Sequence, residues 1–272
     1  MKRRGGLLAF PYAVWMILFT VVPMLLVVWF ALTDEDGLPT VGNFIRLWDY
    51  GAVFGRSLGL AAVSTVICLL IGYPLAYVLS RETDAMRNTA MLLIMLPMWI
   101  NILLRTYAWM SILENSGLLN QLLSFLRLPA LHIINTPSAV ALGMVYNYLP
   151  FMVLPVLTVI TKIDDSVVEA AQDLGGSQAT VFRRVILPLS LPGVLSGITM
   201  VFVPAVSTFI ISKLLGGGKS MLLGDLIEMQ FLGNTYNPYL GSAISLVMMV
   251  IVLISMALMN RFGEGEEEVM GL

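Results

Sequence analysis

The chain of 272 residues carries one cysteine, one histidine and only 12% charged residues. Cys68 lies alone inside an apolar run, so it cannot close an internal disulfide or contribute to a cysteine cluster, and its expected role is packing. His132 has no second ligand near it in sequence, which leaves no ground for a metal site. A formal net charge of −2 offers no basic excess to neutralise phosphates, which argues against nucleic acid as a partner. No His-Glu-x-x-His, no pair of aspartates inside an apolar stretch and no Thr-Val-Gly-Tyr-Gly filter occurs, so the chain lacks the motifs of membrane-embedded hydrolases and potassium channels. Gly218-Lys219-Ser220 imitates the end of a phosphate-binding loop, but Lys213 stands where the earlier glycine is required, and ATP hydrolysis by this chain is not expected.

What is abundant is apolar. Hydrophobic residues make up 58% of the chain, against roughly 45 to 50% in a soluble domain. A helix needs about 20 residues to cross a hydrocarbon layer. Six segments meet that length: 7–32, 58–80, 89–113, 137–161, 187–215 and 239–260. The predicted fold is an all-α integral membrane bundle forming a single transmembrane domain over 1–272. The first segment follows Lys2-Arg3-Arg4, is too long for a signal-peptide core and has no small-x-small cleavage site, so it is read as a retained span.

Orientation follows from the basic residues. With the N-terminus inside, the inner segments hold Lys2, Arg3, Arg4, Arg81, Arg87, Lys162, Arg183, Arg184 and Arg261, nine in all. The outer segments hold five, Arg46, Arg56, Arg127, Lys213 and Lys219, and Arg105 within the third span completes the 15. That asymmetry places both termini in the cytoplasm. Prolines within the spans, among them Pro23, Pro74, Pro97, Pro150, Pro155, Pro192 and Pro204, fit kinked helices of the kind a transporter moves. Two connections on the outer side are amphipathic and are expected either to lie flat at the membrane surface, as a shelf for a soluble partner, or to cover the bundle's own flank: Leu118, Leu119, Leu122, Leu123 and Leu126, then Leu222, Leu226, Met229 and Phe231.

The inner connection 162–187 has the most complete local chemistry. Ser166 followed by Glu169 matches a capping box, and Asp164 and Asp165 add negative charge where a helix N-terminus favours it. Val167, Val168, Ala170, Ala171 and Leu174 give that short helix an apolar stripe, Gly175-Gly176 end it, and Ser177 can cap the next helix. The second helix carries Val181, Val185 and Ile186 on one side, with Arg183 and Arg184 near its end. The acidic polar face of the first helix disfavours anionic headgroups and favours a groove on another protein.

Glu169-Ala170-Ala171, Gly175 and Val185-Ile186-Leu187-Pro188 resemble the "EAA" loop of the permease subunits of ATP-binding-cassette importers that depend on a solute-binding protein. The departure is Val185, where the family has isoleucine. The resemblance implies the type I importer bundle with a cytoplasmic coupling helix, whose docking residues here are Glu169, Ala170, Ala171, Leu174 and Gly175. It also implies a dimer of separate ATPase subunits that bind the ATP, a second permease that is a homologue, a solute-binding protein outside the bacterial cytoplasmic membrane, and no cofactor in this chain. Three stretches look closest to the first permease of spermidine/putrescine importers: 96–107 (Leu-Pro-Met-Trp-Ile-Asn-Ile-Leu-Leu-Arg-Thr-Tyr), 148–155 (Tyr-Leu-Pro-Phe-Met-Val-Leu-Pro) and 215–219 (Leu-Gly-Gly-Gly-Lys). Related permeases for other small solutes share much of this.

A polyamine needs carboxylates and aromatic faces along its way. The spans hold almost no acid, with Glu114, Asp225 and Glu228 at the outer edge, so a deep anionic ligand has to come from the second permease. Trp99, Asn101 and Tyr107 are the candidates for lining the path, although Trp and Tyr also serve as interfacial anchors and Asn as a bond between helices. Arg105 would repel a polyamine and is expected to reach the outer interface or pair with an acid of a partner. The tail Gly263 to Glu268 reads as a solvated cytoplasmic end. An ion-coupled secondary transporter is the alternative from another class, but the carboxylates that a proton relay places within spans are missing.

Overall fold

The structure is a computed structural model that describes residues 11–218, 220–233 and 235–270. Lys2, Arg3, Arg4, Lys219 and the start of the first predicted span lie outside the described residues, as do the side chains of the acidic tail. Among the described residues every regular element is a helix, apart from a single bridge between Thr33 and Pro39.

The helices are α1 (Val22–Ala31), α2 (Gly51–Ser80), α3 (Asp84–Met95), α4 (Ile102–Leu113), α5 (Leu118–Phe125), α6 (Pro137–Ile160), α7 (Asp165–Asp173), α8 (Leu187–Ser207), α9 (Ile210–Leu215), α10 (Leu223–Leu232) and α11 (Pro238–Met270). By length and composition five helical stretches can cross a membrane, and a sixth does if the bent pair α3 and α4 counts as one. The chain divides into two compact units, Met1–Phe54 with Leu226–Val252, and Gly55–Asp225 with Leu253–Leu272.

Two predicted spans are not single helices. The segment 89–113 breaks at Ile100 and Asn101, both extended, and turns by 92°. Pro97 has no amide hydrogen and tightens the end of α3 into a 3-10 turn over Leu96–Trp99. Asn101 then opens α4 by accepting the Leu103 amide at 2.8 Å. The segment 187–215 stops being helical at Ser207, where Thr208 is extended, and restarts as α9. The second predicted span begins earlier than expected, at Gly51.

Two π turns precede prolines. Leu187 donates to the Phe182 carbonyl and Val22 to that of Ile17, each five residues back. The widened turn relieves the clash that Pro188 and Pro23 would otherwise make with the carbonyl four residues earlier.

In the larger unit α6 and α8 pack most closely, and glycine makes that approach possible. A Cβ on Gly193 would fall 2.9 Å from the Pro155 carbonyl and from Val159, and one on Gly197 would fall 2.7 Å from the Met152 sulfur. Gly193 and Gly197 stand in the small-xxx-small spacing that lets membrane helices touch backbone to backbone. Met152 is fully buried, with Gly72 of α2 also against it, and Gly143 of α6 leaves room for Ile211 and Leu215 of α9. Cys68 is buried, in the packing role expected of it.

The two amphipathic connections differ from each other. In α5 Leu118, Leu122, Phe125 and Leu126 stay exposed while Asn120 is buried and bonds Glu114, Asn115 and Leu131. The second connection does not lie open at a surface: Leu222, Leu223 and Leu226 are buried, and the Leu223 amide donates to the Ser57 hydroxyl at 2.8 Å. A stripe of leucines has the same pattern whether lipid or protein covers it, so its spacing could not separate these cases.

Candidate functional site

The connection 162–187 folds as helix, turn, helix, with one correction at its start. The cap of α7 is Asp164, whose carboxylate accepts the Ser166 amide at 2.9 Å, and not the Ser166–Glu169 box. Asp164 stands two residues earlier and can reach the first open amide, so the helix begins there. The same hydrogen bonds hold its carboxyl below the usual carboxylate range.

At its other end α7 closes in a Schellman motif. The Gly176 amide donates to the Ala171 carbonyl at 3.1 Å and the Gly175 amide to that of Gln172 at 2.8 Å. Gly175 has φ +81°, which disfavours any residue with a Cβ, and a Cβ on Gly176 would fall 2.5 Å from the Ala171 oxygen. Ser177 then caps the following turn, Gln178–Val181, by accepting the Thr180 amide at 3.3 Å.

The apolar residues of α7 divide between two faces. Val168 is buried with Val181 and Ile186, and Ala171, Tyr77, Ile163, Phe182 and Val185 pack around them. Phe182 meets Tyr77 edge to face at 5.1 Å and Tyr73 at 5.9 Å, and Arg81 lies over the Tyr77 ring at 5.4 Å. The opposite face is open: Val167 is 44% exposed, Leu174 90%, and Ala170 and Glu169 are exposed as well. The two adjacent alanines therefore point apart, Ala171 toward the supporting cluster and Ala170 outward. Of the five residues predicted to dock, Glu169, Ala170, Leu174 and Gly175 are accessible and Ala171 is half-buried.

Trp99 and Asn101 fall at the bend between α3 and α4, and Tyr107 lies in the middle of α4. Trp99 is 77% exposed and Tyr107 48%. Asn101 is exposed, and its side chain closes its own helix instead of bonding to another. Near the break after α8, the Tyr148 hydroxyl donates to the Pro204 carbonyl at 3.3 Å, with Thr208 and Arg105 close to it. His132 bonds Asn115 at 2.8 Å.

The smaller unit holds a pocket that sequence reading passed over. Asp34, Glu35 and Asp36 line it with Asn43, Arg46, Asn237 and Tyr239, and a neighbouring hollow adds Phe30, Phe231 and Tyr236. Three successive acids directly after an apolar span were the available signal.

The family model "Binding-protein-dependent transport system inner membrane component" matches residues 69–265. The chain is 39% identical to the spermidine/putrescine transport system permease protein PotB of Haemophilus influenzae, with 88% of this chain and 86% of that protein covered. It is 36% identical to the protein of the same name from Escherichia coli strain K12, covering 88% of this chain and 90% of that one. Among solved structures it is similar to a bacterial ABC transporter that imports the acidic polysaccharide alginate, with a TM-score of 0.81, 18% identity and coverage of 97% and 96% of the two chains. At that identity the likeness speaks for the fold alone, an all-α permease bundle of the importer type.

Proposed function

This chain belongs to the family of binding-protein-dependent transport system inner membrane components, and on that premise we propose that it is the permease subunit of an ATP-driven importer of polyamines such as spermidine or putrescine. The observation that carries the coupling is the divided helix α7, gripped on one side by the bundle and left open on the other. The solute assignment draws on the identity with two spermidine/putrescine permeases along 88% of this chain.

In this reading both termini face the cytoplasm, and residues 162–187 meet one of a pair of ATPase subunits. Val167, Ala170 and Leu174 enter a shallow groove on that subunit, and Glu169 lies at its rim. ATP is bound and hydrolysed by the partner, and this chain carries no cofactor. Closure of the ATPases moves α7, and the cluster of Val168, Val181 and Ile186 passes the motion to α2 and α8. With a second, homologous permease this gives alternating access to a shared cavity, filled from outside by a solute-binding protein.

The exposed rings of Trp99 and Tyr107 offer faces to an ammonium group. Asn101 shapes the path by holding the bend open. The end of α8 adds carbonyl dipoles with their negative pole toward the break at Thr208. Outside the membrane the acid-lined pocket of Asp34, Glu35 and Asp36 raises the local concentration of a cation.

The test is to purify the complex through a tag on this chain, reconstitute it with its solute-binding protein, and measure ATP hydrolysis with and without spermidine. A several-fold stimulation is expected. No stimulation despite a co-purifying ATPase would overturn the polyamine assignment, and absence of any ATPase would overturn the coupling.

A further inference from the structure

Arg105 lies on α4 at the border between two surfaces. Thr106 and Trp109 face the packed side, where Trp109 meets Tyr146 edge to face at 5.2 Å. Leu104, Tyr107 and Ala108 face the uncovered side. The Arg105 Nε is buried without a hydrogen-bond partner, and no carboxylate pairs with the guanidinium among the described residues. The nearby Tyr148 hydroxyl, itself beside Thr208, is no counter-charge.

An arginine is permanently charged, and a cation held in an apolar helix without a counter-charge is costly. Neutral hydroxyls do not compensate it. A carboxylate from the direction of the uncovered face does, and none is paired with it there among the described residues.

We propose that Arg105 is the counter-ion of a carboxylate carried within a span of the second permease, so that the seam between the two permeases runs along the uncovered face of α4. The inference rests on the permease-pair reading above. It also explains how a path for cations tolerates a fixed arginine: the partner's acid neutralises it, and the seam carries no net positive charge.

The test reads assembly and does not depend on the solute. The complex is purified through a tag on this chain from membranes carrying Arg105→Leu or Arg105→Lys, and the second permease retained is measured per tagged chain. Breaking a buried ion pair by removing one partner is strongly destabilising, so Arg105→Leu should retain about tenfold less second permease, with Arg105→Lys near wild type. As a second arm, Arg105→Glu is combined with arginine at each intramembrane acid of the partner in turn, and one such combination should restore pairing. Wild-type pairing in Arg105→Leu, equal loss in Arg105→Leu and Arg105→Lys, or rescue by no partner acid would each overturn the proposal. Unchanged pairing together with sensitivity to anionic lipid would assign Arg105 to a headgroup phosphate instead. Failure of spermidine to stimulate the wild-type complex would leave this test intact.

Discussion

The seam between α6 and α8 and the mount of α7 are neighbours in the same unit, yet different physics holds them. Along the seam, Gly193 brings α8 onto the Pro155 carbonyl and Gly197 brings it onto Met152, so main chain meets main chain. Under α7 the contacts run between side chains, with Val168, Val181 and Ile186 enclosed by Tyr77 and Phe182. Backbone contact has no rotamers to exchange, and α6 and α8 are expected to travel as one body. Side chains can change rotamer and repack, so α7 can tilt against its mount while still passing force. A stiff pair carrying an adjustable lever suits a subunit that converts closure of a soluble partner into movement of membrane helices.

This difference can be broken or sharpened by substitution. The largest effect belongs to the seam: Gly193→Val should cost about 3 kcal/mol by overpacking, read as a fall in thermal midpoint of the purified complex. Gly197→Ala should cost less, because it meets the flexible end of Met152 before it meets backbone. Under the lever, Val168→Ala should cost about 2 kcal/mol and loosen amide-exchange protection over 163–186, leaving α6 unchanged. If Val168→Ala costs more than Gly193→Val, the contrast between seam and mount is wrong. Gly175→Ala should cost about 1 kcal/mol, since alanine pays a steric penalty at a φ of +81°.

The smallest effect is at the cap. Hydrogen bonds depress the Asp164 carboxyl, so the folded state binds its proton less readily than the unfolded chain does. Its contribution is therefore full above the ordinary carboxylate range and is lost as pH falls through the depressed value. Asp164→Asn should keep the cap and remove that acid-side dependence, seen as helix protection over 165–173 that no longer falls with acid.

Local polar chemistry made the loop readable. Gly175, Gly176 and Ser177 each have a narrow set of backbone uses, and the structure uses all three as their types predict. The start of α7 was misplaced because Asp164 and Ser166 are both good caps, and only the folded geometry decides which reaches the open amide. Inside the spans composition hides geometry. Pro97 resembles the many prolines that helices there absorb, and Asn101 was the only cue to a break. The seam at Gly193 and Gly197 was not read from the sequence, because glycine is common in membrane helices, and a buried Leu222 and Leu226 could not be told from lipid-facing ones, because lipid and protein ask for the same residues.

The open face of α7 is tested most directly by the amount of ATPase that co-purifies with Leu174→Glu. Leu174 is 90% exposed and touches no supporting cluster, so the variant should keep the thermal midpoint of the permease while losing most of its ATPase and with it ATP-driven uptake. Full retention of ATPase and coupled uptake in that variant would contradict the assignment of this face as the docking surface.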